Sequence, residues 1–435
     1  MASIRKRGNS FQITVSLGYD LEMRKISERT TFKPDLYTEK GNKKSDKTLL
    51  KEAENFAREF EKEILEGGRL TGDKITFKTY YNDWKEKYAK NNLEATTIEG
   101  YDLQINGKVM KEIGNLKMSD IYPLTIQNLY DKLQQSGNSA TTISKIHNIL
   151  SGLFKIAKKW RIIKYNPCQD VFKPKTGYRA EDVQCWSLEQ AQTFLELIKT
   201  PLPIKYRNRK RKSNIGAFYE VKGYTEYRHL DFQYIVMFEI LIFCGLRRGE
   251  LIALEWNDFS YKNKSLNINK STAFVNNKMI DKSTKGHRIR QAPLPQFLAD
   301  DLLRLKQQQK EYMLTLGDKW CGSRNDAQKI FIQYNGKQMY LSTPYNKFKS
   351  VIRMCNTAIQ DESKKLPEIT LHGLRHTNAT LLISENTDIR TVSSLLGHQQ
   401  TSTTMNIYAH SLHKKEQEAV DGLAKILNSK TVVVK

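Results

Sequence analysis

The sequence predicts a multidomain, mainly α-helical protein with small β-sheets. At 435 residues the chain exceeds what one hydrophobic core usually spans. Apolar residues recur at helical spacing over most of its length, whereas period-two alternation is confined to short stretches. With 39% hydrophobic and 10% aromatic residues it has the material for real cores and is not a disordered basic tail.

Taken in order, Phe11, Ile13 and Val15 alternate with Gln12, Thr14 and Ser16, a second extended run covers 24–32, and Gly18 and Asp20 suit the turn between them. Residues 3–33 therefore read as a three-stranded sheet. A helix over 46–66 follows, with Ala53, Phe56, Ala57, Phe60 and Ile64 on one face and Gly67-Gly68 as its stop. Residues 1–66 form one module, and 67–73 read as a linker. Phe77, Tyr80, Tyr81, Trp84 and Tyr88 then open a helical module over 74–174. In its best helix, 140–159, Ile143, Ile146, Leu150, Leu153, Phe154 and Ala157 form an apolar stripe, with Lys145, Lys155, Lys158 and Lys159 at other positions.

A polar connection at 174–182 leads to a third domain, whose first helix starts at Ser187. The segment 230–244 is almost wholly apolar and so central, while 266–268, 273–280 and 289–294 read as three short strands. Helices dominate from 297 onward, the last at 412–427, before an apolar strand-like tail from Thr431 to Lys435 that seeks a sheet edge. The stretch 200–228 carries Lys205, Arg207, Arg209, Lys210, Arg211 and Lys212. It reads as a solvated loop or as a surface meeting DNA or a neighbouring subunit.

Lysine and arginine outnumber the acids 71 to 47, and a net charge of +24 with pI near 9.6 favours a polyanionic partner, nucleic acid first. Between Lys132 and Gln169 there is no acidic residue at all. Lys155, Lys158, Lys159 and Arg161 in that stretch are therefore candidates for DNA contact. The five cysteines are odd in number and widely spaced, which fits reduced thiols in a cytoplasm. The longest apolar stretch, 235–246, is broken by Glu239 and is too short to cross a bilayer, so a soluble intracellular protein with no membrane contact is expected.

No phosphate-binding G-x-x-x-x-G-K loop and no carboxylate cluster for two metal ions is present, so neither cofactor nor metal is expected. The chemistry falls to basic residues and a nucleophile. Four stretches qualify, in this order: Cys244-Gly245-Leu246-Arg247-Arg248-Gly249-Glu250-Leu251, Thr284-Lys285-Gly286-His287-Arg288, His372-Gly373-Leu374-Arg375-His376, and Leu396-Gly397-His398 leading to Tyr408-Ala409-His410. Singly each is weak. Arg247 pairs naturally with Glu250 one turn on, His372 and His376 lack the glutamate base and third ligand of a zinc site, and Tyr408 is one of 21 tyrosines.

Together the four stretches resemble the signature of the tyrosine recombinases, the phage-type integrases: arginine after a buried helix, lysine in a strand hairpin, H-x-L-R-H, then L-G-H with tyrosine ten residues beyond. The resemblance covers about 185–420 by motif, and more softly the two preceding modules. It implies an arm-type DNA-binding domain at 1–66, a SAM-like core-binding domain at 74–174 and a mixed α+β catalytic domain at 185–420. The tail at 421–435 would be exchanged between protomers, with docking in cis as the alternative reading. The sheet at the amino terminus has a structural cap as its alternative reading.

By that resemblance Arg247 and Arg375 clamp the scissile phosphate, and His372 adds a hydrogen bond and assists proton transfer. Tyr408 attacks phosphorus to give a 3′-phosphotyrosine, and Lys285 protonates the leaving 5′-oxygen, with Lys282 as the alternative. His398 supports the phosphate, Glu250 braces the cluster, and Arg288 is a further phosphate contact. Rigid guanidinium forks suit a reaction that gathers negative charge on nonbridging oxygens without metal. The implied partners are double-stranded DNA at core and arm sites, three further copies in a tetramer on two duplexes, and DNA-bending or directionality proteins. Two departures stand out: Cys244 replaces a more usual threonine, and 200–228 is inserted. Two alternatives share part of the pattern. A type IB-like topoisomerase would relax plasmids that lack paired sites, and a catalytically inactive DNA-binding regulator would form no covalent adduct.

Overall fold

The computed structural model describes residues 2–19, 25–37, 42–67, 71–175, 184–212, 216, 218–283 and 289–397, together with Val420, Asp421, Leu423 and Ala424. The chain divides into two compact units, Met1–Gly177 and Tyr178–Lys435.

In the first unit β1 (Ser3–Arg7), β2 (Ser10–Tyr19) and β3 (Lys25–Phe32) form an antiparallel sheet in that order, with Ile4 opposite Ile13 and Phe11 opposite Phe32. The alternation read from the sequence places Phe11, Ile13 and Val15 on a buried face. Leu49 and Ala53 of α1 (Asp46–Gly67) share a core with Phe11, and Phe56 stacks on Phe32 at 4.7 Å.

The helical module has its own core. In α2 (Phe77–Trp84) the aromatic residues Phe77, Tyr80, Tyr81 and Trp84 are all buried, and Thr76 caps the helix by accepting from the Thr79 N–H. They pack with α3 (Ala95–Gln104), α4 (Pro123–Gln135) and α5 (Ala140–Lys159). The Tyr80 hydroxyl donates to the Leu153 carbonyl at 2.5 Å and ties α2 to α5. The expected stripe on α5 is buried throughout. Lys155, Lys158, Lys159 and Arg161 are exposed and form no ion pair with any described residue, so no described carboxylate neutralises this cationic face.

In the second unit α6 (Leu188–Leu197) starts at Ser187 with a capping box. The described residues of the charged stretch at 200–228 form paired β-strands. Strand β4 (Leu202–Tyr206) pairs with β7 (Tyr224–Arg228), and β5 (Arg209–Lys212) pairs with β6 (Phe218–Val221). Helix α7 (Phe232–Cys244) is the central helix, and its carboxylate Glu239 is fully buried with Lys199 at 2.7 Å. After α8 (Arg248–Ala253), strands β8 (Phe259–Ser260), β9 (Ser265–Ile268) and β12 (Arg290–Pro293) form one sheet in the order β12-β9-β8. Strands β10 (Lys270–Val275) and β11 (Lys278–Ser283) form a hairpin.

That hairpin corrects the reading of 273–280 as one strand. Asn276 and Asn277 both have positive φ, 49° and 61°, which is the backbone of a two-residue type I′ turn. Helices α9 (Gln296–Leu316), α10 (Thr343–Ala358), α11 (Leu371–Ser384) and α12 (Ile389–Leu396) complete the described part. Among the described residues no helix is long and apolar enough to cross a membrane, and no three metal-ligating side chains cluster. All five cysteines are unbonded.

Candidate active site

The site grows from the end of α7. Gly245 takes the left-handed conformation, φ 59°, and stops the helix, and a Cβ there would lie 2.6 Å from Leu396 Cδ2. The last carbonyls of a helix lack partners within it, and α11 supplies them here. Asn378 Nδ2 donates to the carbonyls of Ile242 and Phe243 at 2.8 and 3.0 Å, and Arg375 Nη1 donates to Gly245 at 2.7 Å. Arg375 is 2% exposed and also donates through Nη2 to the Leu396 carbonyl at 2.7 Å. The second arginine of the sequence pattern thus holds the turn that delivers the first.

Arg247 is the N-cap residue of α8. Its backbone N–H donates to Glu250 Oε2 at 2.9 Å and its Nη1 to Glu250 Oε1 at 2.8 Å. Its Nη2 donates to the Gly397 carbonyl at 3.3 Å. Glu250 is 2% exposed and is shared with Arg290, which donates through Nη1 at 3.2 Å and Nη2 at 2.7 Å. Burial alone raises a carboxyl pKa. The hydrogen bonds and charge of Arg290, aided by Arg247, outweigh that effect and hold Glu250 at about 2, so it is ionised at neutral pH.

Arg290 Nε donates to the Leu395 carbonyl at 3.0 Å. Leu395, Leu396 and Gly397 therefore each accept from a different arginine: Arg290, Arg375 and Arg247. A helix C-terminus carries partial negative charge, so three guanidinium groups gather there with some compensation. The same contacts anchor the end of α12 where the chain runs on toward His398 and Tyr408.

His372 and His376 sit one turn apart on α11, their rings in edge contact at 4.7 Å. His372 is solvent-accessible, yet the protein around it, then the charges of Arg375 and Arg247, push its pKa below 6.5. His376 is held still lower, at about 4, by burial and by the charges of His372 and Arg375. Both imidazoles are neutral at pH 7, and the one at 372 feels both arginines. The structure thus brings together Arg247, Glu250, His372 and Arg375. Lys285, Arg288, His398 and Tyr408 lie outside the described residues.

The hairpin that leads to Lys285 is anchored from beneath. Gly249 lets α8 press on β10, for a Cβ there would lie 2.5 Å from Ser271 Oγ. Lys329 Nζ pairs with Glu255 at 2.8 Å and with Asp281 of β11, while Thr272 Oγ1 donates to Asp281 at 2.5 Å. Lys282 stands on β11 opposite Ser271. The cysteine in place of threonine also finds a role: Cys244 Sγ donates weakly to the Pro293 carbonyl at 3.7 Å, and burial pushes its thiol up to about 12.

The model of the phage integrase family matches residues 218–415, and that of the SAM-like N-terminal domain of phage integrases matches 76–134. The chain belongs to the phage integrase family of tyrosine recombinases. It is 25% identical over 394 residues to a XerC-like tyrosine recombinase of Caldanaerobacter subterraneus, spanning 86% of this chain and 89% of that protein. The ICEBs1 integrase of Bacillus subtilis is 26% identical over 316 residues, 71% of this chain and 73% of its own. In fold, the chain is similar to the Tn1549 transposon integrase solved with transposon right-end DNA, at TM-score 0.62 and 17% identity, covering 80% of this chain and 100% of that one. It is also similar to a λ integrase tetramer solved on a Holliday junction, at TM-score 0.52 and 13% identity, covering 92% and 96%.

Within this recombinase the sequence reading missed Arg290, having singled out Arg288 two residues earlier. The available signal was strand alternation, since residues two apart share a face and Ala292, buried, lies two beyond Arg290. The neutral state of His372 carries a prediction. If it accepts the tyrosine proton, protonating it removes the acceptor, and its lowered pKa places that loss below pH 6.5. Single-turnover cleavage should hold steady from neutral pH down past 6.5 and then fall, and His372→Gln should erase that acid limb. A midpoint above 6.5 would show that His372 is not kept neutral by its surroundings.

Proposed function

We propose that this protein is a site-specific DNA recombinase, an integrase that moves a mobile element by breaking and rejoining DNA strands through a 3′-phosphotyrosine. The support is a single observation: Arg247, Arg375 and Arg290 converge on three consecutive carbonyls at the end of α12, with a neutral His372 beside the first two. Such a group of positive donors suits an anion that gains charge during reaction.

Tyr408 Oη attacks the phosphorus, its proton passing toward His372. The bond from phosphorus to the 5′-oxygen breaks, and Lys285 supplies the proton that this oxygen takes up. The tyrosyl phosphodiester conserves the bond, so a 5′-hydroxyl from a second duplex reverses the step without ATP. Arg247 and Arg375 bind the nonbridging oxygens, Glu250 keeps Arg247 in place, and His398 completes the phosphate site. DNA is the substrate. Lys155, Lys158, Lys159 and Arg161 track its backbone at the core site, Arg288 adds a contact near the scissile phosphate, and residues 1–66 bind a separate arm site. Four copies act on two duplexes, exchanging their carboxy-terminal tails, and DNA-bending or directionality proteins assist. The protein works in the cytoplasm, on the nucleoid while bound.

The test is a suicide substrate, a nicked duplex of an element end from which the cleaved 5′-fragment diffuses away. A DNA adduct stable to denaturant is expected without metal or ATP. Binding with no adduct on any element end would reject the reading.

A further inference from the structure

We propose that Arg290 is a positioning residue for strand cleavage: it clamps Glu250 to the end of α12 and thereby sets both the geometry and the charge of Arg247. This rests on the recombinase reading above.

Arg290 opens β12, and its side chain is 11% exposed, with each of its three guanidinium nitrogens already donating within the chain. Its three donor nitrogens meet three acceptors on two elements: both oxygens of Glu250 on α8, and the Leu395 carbonyl at the end of α12. Only a guanidinium has this planar spread of donors, and a lysine ammonium cannot span all three. Gly397 makes the room, for at φ 68° its absent Cβ would fall 2.9 Å from Arg290 Nη1. The glycine between Leu396 and His398 is therefore the space that Arg290 uses.

The consequence for Arg247 is twofold. Each Glu250 oxygen accepts from both arginines, so the carboxylate is held from two sides. Without Arg290 it keeps only Arg247 and is free to tilt, carrying that fork with it. The charge changes as well. Two guanidinium groups on one carboxylate leave the trio at +1, whereas Arg247 and Glu250 alone are a neutral pair with less pull on a phosphate. Arg290 acts on the reaction through a neighbour and touches no substrate atom.

The experiment compares wild type, Arg290→Ala and Arg290→Lys in single-turnover adduct formation on the suicide substrate, with DNA affinity and thermal unfolding measured in parallel. Arg290→Ala should form adduct on the order of 10²-fold more slowly, the scale of a misplaced catalytic group, with DNA affinity held within about twofold. Arg290→Lys keeps the charge and should recover part of the rate. On a substrate whose scissile phosphate is a neutral methylphosphonate, the gap between wild type and Arg290→Ala should shrink, because missing positive charge then matters less. A purely structural arginine would leave that gap unchanged.

The lysine variant carries the comparison if the alanine variant does not fold. Wild-type rates in the folded variants, a rate loss matched by lost affinity, or an undiminished gap on the neutral substrate would each overturn the proposal. Failure of wild type to form any adduct is a separate outcome, which removes the recombinase reading itself.

Discussion

Arg375→Ala should lower adduct formation on a suicide substrate by roughly 10²–10³-fold or more, the cost of removing one donor from a transition-state anion site. It should also weaken the fold. Arg375 is 2% exposed and satisfies the carbonyls of Gly245 and Leu396 at 2.7 Å each. Orphaning a buried carbonyl costs about 1–3 kcal/mol, so two such losses approach the lower end of a domain's total stability. The two effects are separable. Thermal unfolding reports the structural part, and single-turnover cleavage well below the melting point reports the chemical part. Arg375→Lys retains the charge but reaches fewer acceptors, so it should recover stability more than rate. Wild-type cleavage by either variant would remove Arg375 from the chemistry.

Tyr408→Phe should abolish the adduct altogether and leave DNA binding intact. The substitution deletes one oxygen atom, the proposed nucleophile, so no alternative geometry of the same residue can restore the step. A phenol is a poor nucleophile at neutral pH because its free pKa is near 10, so the proposed attack needs a proton acceptor, the role proposed for the neutral His372. Band-shift titration alongside denaturing gels distinguishes the expected result, full binding with no adduct, from a variant that still cleaves.

The catalytic domain was legible in the sequence where chemistry and periodicity coincide. Arg247 follows a nearly all-apolar helix, and Arg375 lies in H-x-L-R-H, where Leu374 and Arg375 are both buried. Their order and spacing resemble the tyrosine recombinase signature, which implied that they meet, and the folded chain does bring Arg247, Glu250, His372 and Arg375 to one place. The α5 stripe and the three-stranded sheet were equally readable, because period 3.6 and period 2 are strong signals over long stretches.

What escaped notice depends on contacts between distant elements. Arg290 is one of many arginines in the sequence. Its importance comes from Glu250, 40 residues away, and the Leu395 carbonyl, 105 residues away. The Asn276-Asn277 turn was overlooked because neither residue is glycine, yet asparagine tolerates positive φ well enough to close a tight hairpin. The strand pairing within 202–228 was hidden by its charge. Its strands LPIKY, RKRK, FYEV and YTEYR show no sustained alternation of apolar with polar residues, and β7 is almost wholly exposed, so burial gave no periodic cue.

In the proposed reaction, scattered basic residues gather around one phosphate so that a single phenol can attack it. The most direct measurement is mass-spectrometric mapping of the peptide joined to DNA after wild-type protein is trapped on a suicide substrate. One modified residue is expected, Tyr408, carrying the 3′-phosphate of the cleaved strand. A linkage through any other side chain, or through the 5′-phosphate, would contradict it.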